Sequence, residues 1–263
     1  MRVLPVGRGG RSRGGCSPSV EEAGHGRLET TRCDFFYASW HFVSRPLPTL
    51  PGMVARALHL VRHGEVHNPA GVVYERLPEF RLSERGRAMA AATAEWLADK
   101  PVSRLIASPL LRTQQSAQPI AEAFGLPIEP DERVIEAGNR LAGRALGREV
   151  VRRPQDWLLF VNPLRPSWGE AFTEIRDRMR VAVLEALRSG DPEHDVVIVS
   201  HQLPIWMVHR SVAGEPLPHD PRRRRCALSS VTSFAIRDGR VVETGYADPA
   251  APLLLGAVDR GAT

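Results

Sequence analysis

The run Val196-Val197-Ile198-Val199, set between Asp195 and Ser200, is β-branched at every position and carries no polar side chain. Such a strand has no face suited to water. It belongs in the middle of a mostly parallel sheet covered by helices on both sides. A second run, Leu58-His59-Leu60-Val61, breaks abruptly into the polar cluster Arg62-His63-Gly64-Glu65-Val66-His67-Asn68. It reads as another short buried strand, with Gly64 supplying the turn that ends it. Both runs deliver a histidine, His63 and His201, at the carboxyl end of the strand. Ligands of open α/β sheets bind outside those ends, so both histidines stand where chemistry is usually done.

The remaining periodicities fit the same architecture. Ser83 is an N-cap, with Glu84 in the first turn, for a helix carrying Met89, Ala92, Trp96 and Leu97 on one face. Ser103 to Ala107 reads as a strand. Ser108-Pro109 starts the next helix with proline at its first position, which puts Arg112 in the first turn, and Gly125 stops it. A third apolar stretch, Leu126 to Ile135, ends in Glu136. Phe172, Ile175, Met179, Val183 and Leu187 mark an amphipathic helix over 170–187. A helix over about 203–212 follows the central strand, and Asp238-Gly239 joins two final strands as a hairpin. Strands alternating with helices imply an α/β fold, a three-layer αβα sandwich with a mostly parallel central sheet.

Composition narrows the function classes. The chain has 263 residues, a net charge of +5 and an isoelectric point near 9.7, which would suit a nucleic-acid binder. However, seven arginines against four acidic residues in 1–52 account for over half of that excess. The one dense basic patch, Arg222 to Arg225, reads as a solvated loop rather than a nucleic-acid footprint. Cys16, Cys33 and Cys226 have neither metal-site nor disulfide-framework spacing, and no apolar run is long enough to span a membrane, so a cytoplasmic protein is expected. Residues 1–52, rich in Gly, Arg, Pro and Ser, are expected to be a disordered extension, dispensable or arising from start-codon choice, with a folded domain over 53–263.

Six segments in order resemble the histidine phosphatase superfamily, the phosphoglycerate mutase-like proteins. They are Leu60-Val61-Arg62-His63-Gly64-Glu65, Leu82-Ser83-Glu84-Arg85-Gly86, Ser108-Pro109-Leu110-Leu111-Arg112, Asp131-Glu132-Arg133-Val134-Ile135-Glu136, Gly169-Glu170, and Val199-Ser200-His201. The resemblance covers about residues 57 to 245 and implies a phosphatase that works without metal or other cofactor on a small phosphorylated metabolite. His63 would be the nucleophile, forming a phosphohistidine. His201 would donate to the phosphoryl oxygens, and Glu136 would protonate the leaving oxygen, with a raised pKa expected beside an anionic substrate. Arg62 and Arg112 would grip the phosphoryl group with planar, permanently charged forks that lysine cannot copy.

Departures from the family pattern bear on the pocket wall. Asn68, a candidate phosphate ligand, lies one residue closer to the histidine than the family's asparagine, and Gln202, a further candidate, stands where the family has glycine. After Glu136 the chain reads Ala137-Gly138-Asn139-Arg140, without the Arg-x-Tyr-Gly continuation that the glycolytic mutases share, which favours hydrolysis over a mutase reaction. Three alternatives remain: a phosphoglycerate mutase-type phosphotransferase, a non-catalytic phosphate-binding regulator, and a metallohydrolase using His63 and His67. The stretch 137–168, with Arg140, Arg144, Arg148, Arg152 and Arg153, is expected to form a lid over the leaving group.

Overall fold

In the computed structural model, parity along the two central strands decides the layering. Residues 54–140, 142–144 and 169–259 are described. The expected extension over 1–52 and the lid arginines Arg148, Arg152 and Arg153 lie outside them. Strand β1 (Ala57–Arg62) turns Leu58 and Leu60 to one face, and β4 (Asp195–Ser200) adds Val196 and Ile198 there. Val61, Val197 and Val199 turn to the other face. All seven of these side chains are buried, each worth roughly 1.5–3 kcal/mol against exposure.

One face is covered by α3 (Phe172–Arg188) and α4 (Gln202–Ala213), the other by α1 (Glu84–Leu97) and α2 (Leu111–Phe124). The sheet is completed by β2 (Val102–Ala107), β3 (Ile128–Pro130), β5 (Val231–Arg237) and β6 (Arg240–Ala247), in the order β3-β2-β4-β1-β5-β6. The pairs β3-β2, β2-β4 and β4-β1 are parallel; β5 and β6 run antiparallel at one edge. The αβα sandwich with a mostly parallel sheet is therefore the observed fold. Among the described residues, no helix is long and apolar enough to cross a membrane.

Local signals hold at the predicted caps and turns. The Ser83 hydroxyl accepts the Gly86 amide at 2.9 Å, and Gly125 closes α2 with a left-handed φ of 65°. Asp238 and Gly239 both have positive φ (51° and 72°), as a two-residue hairpin of this type demands. Two expectations need correction. Helix α2 begins at Leu111, not at Pro109, because Ser108 directs its hydroxyl elsewhere, to His201. The stretch after Leu126 pairs only over Ile128–Pro130: Pro130 has no N–H to donate, and the Asp131 carboxylate caps a 3-10 turn over Glu132–Val134.

Candidate active site

Polar side chains converge at the carboxyl edge of the parallel strands. Arg62 and Ser200 are register partners across β1 and β4, so the next residues, His63 and His201, emerge side by side. Their ring centroids are 5.2 Å apart, and both side chains are fully buried. Arg112 comes from the first turn of α2, where Ser108 follows β2 and its amide bonds to the Val199 carbonyl at 3.0 Å. The Nη2 atom of Arg112 lies 3.3 Å from His201 Nδ1, and its guanidinium carbon 4.9 Å from the Tyr74 ring centre.

Gly64 works here through close approach rather than a special φ. A Cβ on Gly64 would strike the Gly86 carbonyl, and one on Gly86 would strike the Glu65 carbonyl. The two glycines let the loop after His63 pack backbone to backbone against the start of α1. Glu65 then locks that junction: its carboxylate accepts the Ser83 hydroxyl, Arg85 Nη1 at 3.3 Å and the Val258 amide at 2.8 Å.

Hydrogen-bond partners fix the histidine tautomers. The Gly64 carbonyl can only accept, so the Nδ1 of His63, 2.8 Å away, carries the proton. Nε2 is left with its lone pair, buried and without a partner. Arg112 can only donate, so His201 accepts at Nδ1 and donates from Nε2 to the Ser108 hydroxyl at 2.8 Å. Burial first, then the nearby arginines, hold both imidazoles well below the usual histidine pKa of 6.5. Both rings are neutral at physiological pH.

The two arginines are buried and only partly engaged. Arg62 donates Nη1 to the Cys226 carbonyl at 2.7 Å and grips the Asp259 carboxylate at 2.5 and 2.9 Å. Arg112 donates to the Glu75 carbonyl, turned toward it by a residue whose φ is positive, +26°. Arg62 Nε, together with Arg112 Nε and Nη1, is buried without a hydrogen-bond partner. With His63 Nε2 this makes four unsatisfied buried atoms in three neighbouring residues: three cationic donors and one lone pair. Each such vacancy costs about 1–3 kcal/mol, a penalty that a bound anion would remove.

Glu136 supplies the acid group. The segment before it is tied down by Ser200 Oγ on the Val134 carbonyl and Arg178 on the Arg133 carbonyl, both at 2.7 Å, while Arg76 binds Glu136's own carbonyl at 2.7 Å. The carboxyl lies 3.9 Å from His201 Nδ1 and accepts the Ala137 amide at 2.9 Å. Its pKa is raised by burial, with that amide and the arginines pulling the other way. The expected direction thus arises without substrate. Two nearby carboxylates of the same motifs are placed differently: Glu65 bonds the start of α1 and the Val258 amide, and Glu132 is exposed.

The structure therefore brings together Arg62, His63, Arg112, Glu136 and His201. Both ends of the Asn68 amide engage Val72, at 2.8 and 3.2 Å, so its side chain braces its own turn. Gln202 adjoins the group, donating weakly to the Cys226 carbonyl (3.4 Å) and accepting from Arg224 (3.1 Å). His67 is exposed while His63 is buried, so the pair weighed as metal ligands is not assembled. Tyr74, Arg224 and Asp259 join the neighbourhood unannounced by their local sequence, and Ser108, read there as a helix start, joins it through His201. Burial pushes the Tyr74 phenol up to about 12, so it stays neutral.

The sequence profile of the histidine phosphatase superfamily, branch 1, matches residues 58–249. An uncharacterised protein of Mycobacterium tuberculosis is 48% identical over 196 residues, 74% of this chain and 96% of its own. Phosphoserine phosphatase 1 of Hydrogenobacter thermophilus is 32% identical over 165 residues, 61% of this chain and 77% of its own. Other relatives are named as probable phosphoglycerate mutases. Among solved structures, a mycobacterial glucosyl-3-phosphoglycerate phosphatase in complex with VO3 superposes with a TM-score of 0.61 at 25% identity, over 72% of this chain and 98% of its own.

Proposed function

The chain belongs to the histidine phosphatase superfamily, an enzyme family acting on phosphate esters, and from that premise we propose that it hydrolyses phosphomonoesters through a phosphohistidine on His63. One observation carries the reading: His63 Nε2 is buried with its lone pair unsatisfied, and the two guanidinium groups whose charges act on it, Arg112 and Arg62, also keep unsatisfied buried donors. A phosphoryl group offers what each of them lacks, an electrophilic centre for the nitrogen and charged oxygens for the guanidinium groups.

In the first step Nε2 attacks phosphorus, and the P–N bond forms as the P–O bond to the leaving group breaks. Glu136, whose pKa burial raises, gives its proton to the departing oxygen. Arg62 and Arg112 hold the equatorial oxygens as charge spreads over them, and His201, itself bonded to Arg112, completes the cradle. In the second step Glu136, now a carboxylate, takes a proton from water, whose oxygen attacks phosphorus. The P–N bond breaks, phosphate leaves and the His63 lone pair is restored.

Relatives named for phosphoserine and glucosyl-3-phosphoglycerate support a small phosphorylated metabolite as substrate. Residues 137–140, Ala-Gly-Asn-Arg, support hydrolysis over mutase action. Incubation with 3-phosphoglycerate tests that choice: free phosphate is expected, and formation of the 2-isomer without phosphate release would overturn it. Turnover is expected to persist in chelator, and cell fractionation to place the protein in the cytoplasm.

A further inference from the structure

The basic cluster Arg222 to Arg225 divides in the fold. Arg222, exposed, closes on Asp220 at 2.8 Å; Arg225 pairs with Glu243 and lies over the Tyr246 ring. Arg224 turns the other way and is half-buried. It donates Nε to His219 Nε2 at 2.9 Å and Nη1 to Gln202 Oε1 at 3.1 Å. His219 Nδ1 faces the Leu217 carbonyl at 2.7 Å and must carry the ring proton, so its Nε2 is a neutral acceptor. Gln202 in turn donates to the Cys226 carbonyl, which also takes Arg62 Nη1 at 2.7 Å. Three hydrogen bonds, two of them meeting at the Cys226 carbonyl, thus connect Arg224 to the phosphate-gripping arginine.

What holds Arg224 differs from what holds its neighbours. Arg76 and Arg178 share the Glu170 carboxylate, and Arg62 pairs with Asp259, so each has a carboxylate partner within the fold. Arg224 is aimed by two neutral acceptors and forms no ion pair among the described residues. Its hydrogen bonds through Gln202 and the Cys226 carbonyl set it beside Arg62, and its charge is felt by Glu136, the proposed acid for the leaving oxygen. A half-buried cation oriented but not neutralised awaits an anion from outside.

We propose that Arg224 reads a second anionic group of the substrate, a carboxylate carried close to the esterified oxygen, with Gln202 and His219 as the positioning residues that aim it. With Nε and one Nη1 hydrogen engaged, the Nη1/Nη2 edge is what remains, and that edge matches a planar carboxylate in a bidentate pair. One monoanion also balances one guanidinium, whereas a second phosphate would leave surplus negative charge beside Glu136. This inference rests on the phosphatase reading of the site and adds to it a substrate class: phosphomonoesters of small hydroxy or amino acids. It also explains Gln202, whose side chain holds Arg224 where the family's glycine would hold nothing.

A matched pair of substrates isolates the carboxylate: 3-phosphoglycerate and glycerol 3-phosphate differ by a carboxylate in place of a hydroxymethyl group. The wild type is expected to favour 3-phosphoglycerate by about tenfold or more in kcat/KM, the worth of one charge-assisted pair. Arg224→Gln is expected to bring that ratio close to one, and Gln202→Ala to lower it part of the way, with thermal melts confirming that both variants fold. The pH profile gives a second readout. Neutralising Arg224 helps Glu136 keep its proton, so the alkaline limb should extend further for 3-phosphoglycerate than for glycerol 3-phosphate in the wild type, and the two limbs should coincide in Arg224→Gln. Equal kcat/KM for both substrates in the wild type, or a ratio unmoved by Arg224→Gln, overturns this inference alone. No phosphate release from either substrate overturns the phosphatase reading, and the inference with it.

Discussion

The two ends of the central strand pair β1 and β4 carry the same kinds of residue and treat them in opposite ways. At the amino end Asp195 is fully buried, and Arg56 grips it through two bonds of 2.8 Å. His59 spends both ring nitrogens, one on Asp195 at 3.1 Å and one on Ser233 at 2.8 Å. At the carboxyl end, some 15–20 Å along the strands, His63, Arg62 and Arg112 leave four buried polar atoms without partners. A chain selected for stability alone would have closed both ends alike. The satisfied cluster ties the sheet together, and the unsatisfied one is where we propose that phosphate binds.

Breaking the open end should cost activity most. His63→Ala is expected to lower kcat/KM for a phosphomonoester by about 10,000-fold or more, as loss of a nucleophile does, measured by phosphate release. Breaking the closed end should cost stability instead. Asp195→Ala leaves Arg56 and His59 without their shared partner and is expected to remove about 3–5 kcal/mol, read by denaturant unfolding, while kcat/KM per folded molecule stays within about twofold. Arg112→Ala removes a donor to the phosphoryl oxygens and is expected to lower kcat/KM by about 100- to 1,000-fold.

Acid should separate the two ends more gently. His63 and His201 have pKa values lowered well below 6.5, so the unfolded chain takes up protons that the folded protein refuses. Their contribution is complete above pH 6.5 and is lost as the pH falls below it. Asp195 behaves differently. Burial alone would raise its pKa, but the bonds from Arg56 and His59 outweigh that and hold it at about 2. Its contribution persists down to the unfolded carboxyl value of about 4 and is lost between there and about 2. Unfolding midpoints from pH 7 to 2 should therefore fall in two stages, the first flattened by His201→Ala and the second by Asp195→Asn.

Much of this contrast was legible in the sequence, and the illegible part has a physical cause. Val196 to Val199 could only be a central strand, Arg62 ends its own strand, and His63 and His201 directly follow theirs, so chain order places them. The Ser83 cap and the Asp238-Gly239 hairpin are local devices with local signatures. Arg224 and Asp259 are not: their side chains reach the site through packing of segments 160 or more positions from His63, and no periodicity encodes that. The brace that Asn68 gives its own turn through Val72 was likewise not announced by its distance from His63. Gly64 was read as a turn former, whereas its purpose is contact with Gly86, visible only once α1 is docked.

The buried lone pair of His63 Nε2 is the centre of the proposed chemistry. Rapid quenching during turnover of a phosphomonoester labelled in its phosphoryl group, followed by peptide mapping, tests it directly. The expected result is an acid-labile, base-stable phosphoryl label on His63, absent from His63→Ala and longer-lived in Glu136→Gln, whose side chain cannot activate water. Turnover with no label on His63, or normal turnover by His63→Ala, would contradict the account.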